Sequence, residues 1–303
     1  MSLQTISIWS KRILFFFATN FLVVSSLFLV ASFLMNHFQI EVEGFTFYLI
    51  FYTIIGMGGA LISLWSSKWM AIRGMGVQVI SENSSDSRER DLVQKVNHLS
   101  VKAGLPVKPA VGIYKSNEVN AFATGPSKKN SLVAVSTGLL DHMNEHETEG
   151  VLAHEVAHIA NGDMVTMSLI QGVVNVMVFL IADLLAQVVV KKVLNRGRNW
   201  FIEYMIRQVF VTILYIPGSM LVCFFSRWRE YRADHGGARF AGRDKMISAL
   251  RSLSQITQMR SHNKKEYSYL MINNKSSKSL MRRLFSTHPP IEDRIKRLQS
   301  SLA

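Results

Sequence analysis

The chain has 303 residues, a single cysteine (Cys223) and a net charge of +13. One cysteine excludes an internal disulfide and a thiolate metal cluster, so any bound metal must be held by His, Asp or Glu. Apolar residues make up 49% of the chain against 18% charged, and their clustering excludes an ordinary soluble domain.

Two uncharged runs open the chain, Ile13–Met35 and Phe45–Trp65, each long enough to cross a bilayer as a helix. The first is too long for a signal peptide, and no clear small-x-small cleavage site follows it, so the pair is expected to form an anchor hairpin. Gly56, Gly58, Gly59 and Ala60 on the second run permit close helix packing. Lys11 and Arg12 precede the first run, and Lys68 and Arg73 follow the second. The intervening loop Asn36–Gly44 holds Glu41 and Glu43 but no Lys or Arg. The positive-inside rule then places both the N-terminus and the chain after Lys68 in the cytoplasm.

Residues 84–103 have the spacing of a helix with Leu92, Val96 and Leu99 on one side, ended by Gly104-Leu105-Pro106. Three short strands are expected next, at Ala110–Tyr114, Asn120–Thr124 and Leu132–Ser136, with Gly125-Pro126 and Lys128-Lys129-Asn130 as punctuation. Asn144 and Glu147 form an N-x-x-E capping pair that starts a helix near Glu145, and Asn161-Gly162 ends it. Val151, Leu152, Val156 and Ile159 give this helix its apolar packing.

In the last turns of that helix lies His154-Glu155-Val156-Ala157-His158. Residues four apart share one face of a helix, so both imidazoles can reach one metal ion, with zinc expected. Glu155 stands beside them, where a carboxylate can take the proton of an attacking water. The bland alternative is a solvated helix with two incidental histidines.

Two further apolar stretches follow, Met164–Val190 and Met205–Ser226, with one charge in each, Asp183 and Arg207. A paired Asp183–Arg207 is preferred over a proton or substrate path. The connecting turn Lys191–Tyr204 carries Lys191, Lys192, Arg196 and Arg198, which resist translocation. The hairpin therefore either spans against the rule or inserts only partly.

Catalytic zinc takes three protein ligands and one open position. The best third ligand is Glu230, in a segment that continues the last apolar helix. Asp234, four residues on, faces the same side and can accept the free N–H of a ligand histidine. The alternative is an exposed helix salt-bridged by Arg227, Arg229 and Arg232. His37, His98, His142, His146, His235 and His262 lack a partner at useful spacing and are expected at the surface. His288 precedes Pro289-Pro290 and a short amphipathic helix, Ile291–Leu298, that carries Arg294. His288 and Arg294 could stabilise a negative tetrahedral intermediate, or be a loop cap and a surface charge. The polar stretch Lys264–Lys278 is expected to be disordered or a mobile flap.

These motifs together resemble the HtpX family of bacterial inner-membrane zinc metalloproteases, relatives of the CAAX prenyl proteases. The likeness runs through Asn120-Ala121-Phe122-Ala123-Thr124-Gly125, Leu132–Leu140, the His-Glu-x-x-His run, Asn161-Gly162-Asp163-Met164 and Glu230–Asp234. It implies His154, His158 and Glu230 as ligands of one zinc per chain, Glu155 as base, and quality control of membrane proteins under stress. His288 and Arg294 match positions that the prenyl-protease relatives hold near their zinc.

The expected architecture is mainly α, of the α+β class. Two N-terminal spans and a second apolar hairpin would carry a zincin-like (gluzincin) catalytic domain with a small β-sheet. The expected parts are an N-terminal hairpin 1–67, a catalytic part 68–163, a second hairpin 164–226 and a catalytic part 227–303. Expected substrates are membrane proteins and unfolded polypeptide, which could add as a strand beside Asn120, Ala121, Phe122 and Ala123. Residues 227–303 carry +11 of the net charge, which suits anionic lipid. No nucleic-acid motif accompanies the charge, and nothing indicates an oligomeric state. The rival readings are a prenyl-protein protease and a non-catalytic scaffold with structural zinc, where Asp163 or His288 would be the fourth ligand.

Overall fold

The computed structural model describes residues 45–190, 200–265 and 284–300. The elements in chain order are α1 (Phe45–Gly74), β1 (Gln78–Val79), α2 (Ser87–Lys102), β2 (Ala110–Tyr114), β3 (Ala121–Ser127) and β4 (Asn130–Ser136). They continue with α3 (Thr137–His142), α4 (Glu145–Asn161), α5 (Asp163–Val188), α6 (Trp200–Ala241), α7 (Arg243–Lys265) and α8 (Ile291–Ser300). The protein is thus mainly helical with one small mixed sheet, the expected class. The first expected span, Ile13–Met35, lies outside the described residues, as do the loop before Phe45, residues 191–199 of the expected turn and all but the start of Lys264–Lys278.

The described chain divides into two units, one of residues 45–63 and 168–222, the other of 64–167 and 223–300. In the first unit, α1, α5 and α6 are long and apolar enough to cross a membrane. α1 meets α5 without a side-chain spacer at Gly56, where a Cβ would stand 2.8 Å from Val176, and α6 meets α5 at Gly218, where one would stand 2.9 Å from Val174. Their polar groups are matched internally. Arg207 Nη1 lies 3.4 Å from Asp183 Oδ1 and donates to Tyr52 Oη at 3.2 Å. Tyr215 Oη and Gln171 Nε2 both donate to Asn175 Oδ1. An unpaired donor or charge in an apolar surrounding costs several kcal/mol or shifts its pKa, so these contacts permit the residues to be there at all.

The second unit is built on a four-stranded sheet of order β1-β2-β4-β3. β1 pairs antiparallel with β2, β2 parallel with β4 (Val111 opposite Val133), and β3 antiparallel with β4 (Phe122 opposite Ala134). β4 is buried on both faces. Val133 and Val135 pack with Leu92, Val96 and Leu99 of α2, with Leu152, Val156 and Ile159 of α4 and with Ala249 of α7. Leu132 and Ala134 pack on the other side against Ala71 of α1 and Tyr114. Leu99, Leu132, Leu152 and Ile159 are fully buried, and each such side chain stabilises by roughly 1.5–3 kcal/mol. This core fixes α4 against the sheet.

Several boundaries differ from the sequence reading, and α6 begins at Trp200, inside the expected turn Lys191–Tyr204. α1 runs on past Trp65 to Gly74, because no breaker intervenes and Ala71 and Ile72 are drawn into the core below the sheet. β3 continues through Gly125-Pro126 to Ser127. The register shifts there and Gly125 takes φ 136°, so the pair makes a bulge rather than a strand end. A short strand, β1, was not anticipated.

Candidate metal centre and active site

α4 begins with a full capping box. Asn144 Oδ1 accepts from Glu147 N–H at 3.0 Å, and Glu147 Oε2 accepts from Asn144 N–H at 3.0 Å. It ends at Gly162, which takes the left-handed conformation (φ 73°) and donates to His158 and Ile159 carbonyls. That turn starts α5 at once and brings Asp163, in its first turn, back beside the histidines.

His154 and His158 lie one turn apart on α4, both buried, with their Nε2 atoms 3.1 Å apart. α6 supplies the rest. Its Gly236 passes so close to α4 that a Cβ would stand 2.8 Å from Ala157 Cβ, and this approach carries Glu230 and Asp234 to the histidines. Glu230 Oε2 lies 3.4 Å from His154 Nε2, and Oε1 lies 3.3 Å from His158 Nε2. One ligand atom from each of the three residues falls within 4.8 Å of the others. Glu230 is fully buried, which removes the exposed salt-bridged alternative.

The outer nitrogens are also placed. Asp234 Oδ1 lies 3.0 Å from His154 Nδ1, and Asp163 Oδ2 accepts from His158 Nδ1 at 2.7 Å. A carboxylate on Nδ1 keeps the proton there and leaves the Nε2 lone pair facing inward. Asp163 thus orients His158, where the scaffold reading would have made it a fourth ligand. The signal was in the sequence, an aspartate one residue beyond the glycine that ends the helix.

α8 completes the site from below in the chain. Arg294, buried, donates to Asp234 through Nε (2.7 Å) and Nη2 (2.5 Å), and its Nη1 is 3.6 Å from Glu230 Oε2. Its guanidinium holds the carboxylate that holds His154. The surface-charge reading of Arg294 is therefore wrong: 7% exposure shows a buried cation whose charge is matched by two acids. His288, with a side chain 61% exposed, donates from Nδ1 to Glu230 Oε2 at 2.7 Å. Glu155 is buried beside the pair, with no hydrogen-bond partner among the described residues. Ala121, Phe122 and Ala123 lie on β3, the sheet's outer strand, and Asn120 just before it is tied to β4 through Ser136. His98, His142, His146 and His235 are exposed and apart from this cluster, while His37 and the His262 side chain lie outside the described residues.

The charges are tightly coupled. Burial alone would lower His154, but hydrogen bonds to Asp234 and Glu230 outweigh it and push its pKa up to about 9. Burial would raise Glu230, yet hydrogen bonds from His154, His158 and His288 hold it far below the usual carboxylate range. Asp234 is lowered too, against its burial, chiefly by Arg294 and His154. An arrangement of two inward imidazole nitrogens and one ionised carboxylate is the donor set of a divalent metal, and the residues present fit one.

Comparison with known proteins agrees. Residues 86–302 match the model of peptidase family M48. The "Protease HtpX homolog" of Bacillus licheniformis is 45% identical over 302 residues, covering 96% of this chain and 99% of that one. The "Protease HtpX" of Idiomarina loihiensis is 43% identical over 289 residues, covering 95% and 99%. The chain belongs to peptidase family M48, among the HtpX proteases. The fold also resembles the crystal structure of S. mikatae Ste24p, with a TM-score of 0.63 at 15% identity over 96% of this chain and 66% of that one. This M48 peptidase is a membrane-bound metalloprotease, as the sequence motifs implied.

Proposed function

We propose that the metal is zinc, held by His154, His158 and Glu230, and that the chain cuts misfolded or damaged membrane proteins and unfolded polypeptide at the cytoplasmic face of the bacterial inner membrane. The convergence of three buried donors, with a carboxylate behind each histidine, carries this reading. Zinc, when bound, supplies Lewis acidity that polarises a carbonyl and acidifies water. Glu155 takes the proton of the attacking water as oxygen bonds to the scissile carbonyl carbon. It then gives that proton to the nitrogen as the C–N bond breaks. Among the described residues nothing hydrogen-bonds to Glu155, which leaves its lone pairs open for this transfer. Arg294 fixes Asp234, and Asp234 fixes His154. His288, exposed beside Glu230, stands where it can donate to the oxyanion of a bound substrate. An extended substrate pairs with the outer edge of β3 at Ala121–Ala123. Lys11, Arg12, Lys68 and Arg73 flanking the N-terminal runs support a cytoplasmic site.

The test is metal content and casein cleavage by detergent-purified protein. Wild type should hold one zinc and cut. Glu155→Ala should hold zinc and lose at least about a hundredfold in rate, while Glu230→Ala should lose zinc affinity. Cleavage by Glu155→Ala at the wild-type rate would sink the assignment of the base.

A further inference from the structure

Away from the metal centre, in the second unit, a cavity of about 390 Å³ opens at one end of the sheet. Its polar lining comes from separate elements: Lys68 of α1, Asn97 of α2, Lys108 before β2, Lys129 in the β3–β4 turn and Ser131 of β4, with Glu82 as the one acid. Glu82 is already occupied, accepting from Asn97 Nδ2 at 2.9 Å and Lys108 Nζ at 3.4 Å. Lys68 Nζ donates to Asn130 Oδ1 at 2.9 Å and retains further N–H groups. Lys129 has no partner among the described residues. Ser131, 2% exposed, has a buried hydroxyl with no hydrogen-bond partner. Native structures rarely leave such a group unmatched, and its presence at a cavity wall marks a missing acceptor. Three lysines and one unmatched hydroxyl line the cavity against a single carboxylate already paired with Lys108, which leaves two ammonium charges to be met by an anion.

Two observations say which anion. Lys68 stands between Trp65 and Trp69 on α1, whose rings are 77% and 64% exposed. Exposed tryptophans bracketing a lysine at the end of an apolar helix belong at headgroup depth. Val79 and Val107, about half exposed, also line the cavity, and they would be poor neighbours for a free inorganic ion but suit the first carbons of an acyl chain. We propose that this cavity binds the phosphate headgroup of an anionic phospholipid through Lys68, Lys108, Lys129 and the Ser131 hydroxyl. The site lies on residues 68–131, not on the basic segment 227–303 where composition alone places lipid contact. The proposal rests on the membrane assignment and is independent of the metal chemistry.

Full-length protein in a zwitterionic detergent would be titrated with dihexanoyl phosphatidylglycerol and, separately, with inorganic phosphate, reading thermal stabilisation. Lys129→Glu should weaken the lipid about tenfold, while Lys115→Glu, exposed and outside the cavity, should leave it unchanged. Lipid-free casein cleavage by Lys129→Glu should match wild type, which shows that the variant is folded. Ser131→Ala gives a second arm of opposite sign: it should unfold at the same or a higher temperature without lipid, yet gain less from lipid. Equal weakening by both lysine variants would show unspecific attraction and overturn the site. Inorganic phosphate binding as tightly as the lipid would overturn the lipid assignment in favour of a soluble anion, and no lipid binding at all would end both.

Discussion

His154 sits between two acids, Asp234 at Nδ1 and Glu230 at Nε2, with Arg294 behind Asp234. Its pKa of about 9 exceeds the ordinary 6.5, so the metal-free protein holds this imidazole charged at neutral pH. A metal needs the neutral ring, and binding must expel the proton. The sign follows. In metal-free protein the charged His154 contributes stability that is full below about pH 6.5 and is lost as pH rises through about 9. Metal affinity runs the other way, rising by up to about tenfold per pH unit between about 7 and 9 and levelling above. A chelator competition at successive pH values checks this, and an affinity that stays flat across that window would contradict the placement of both acids. The two histidines were legible in the sequence because helical spacing puts residues four apart together, while Glu230 was picked only as the best acid in the segment continuing the last apolar helix; the structure brings all three within reach of one ion. Asp163 was weighed only as the fourth ligand that the rival scaffold reading would need, because its return to His158 depends on the left-handed turn at Gly162.

Among the elements, α4 and α6 decide whether the trio can form. Alanine in a helix normally stabilises by about 1 kcal/mol over glycine. At Gly236 the same methyl would stand 2.8 Å from Ala157 Cβ and push α6 off α4. Gly236→Ala should therefore lower the melting temperature and weaken metal binding together, since Glu230 and Asp234 ride on α6. A variant that melts higher and binds metal as wild type would show that the helices have slack there. Sequence patterning found α4 with its caps, because N-x-x-E and Asn-Gly are local signals. It passed over α7, whose core contacts come from Met246, Ile247, Ala249 and Leu250 within an otherwise polar run. The contact at Gly236 was invisible, since no local rule says which helix a glycine will face.

For the whole molecule, the question is how three apolar helices accept Asp183 and Arg207. The charges pair at 3.4 Å, with Tyr52 of α1 on Arg207 and Gln187 on Asp183, so one contact ties α1, α5 and α6 together. Apolar length predicted α5 and α6, and the scarcity of charges in them predicted the pair. Removing one partner should cost more than removing both, because a lone buried charge loses its compensation while an apolar pair only loses the bond. Arg207→Leu should lower the detergent melting temperature markedly, by the equivalent of about 3 kcal/mol or more, and Asp183→Leu with Arg207→Leu should recover a large part of it. Cleavage per folded molecule should be unchanged in both variants, since the proposed zinc ligands, Glu155 and the carboxylates behind the histidines all lie in the other unit. A double variant no more stable than Arg207→Leu would mean that the two residues act separately. A loss of cleavage in fully folded protein would mean instead that this buried pair serves the chemistry, and the path reading set aside for Asp183 and Arg207 would return.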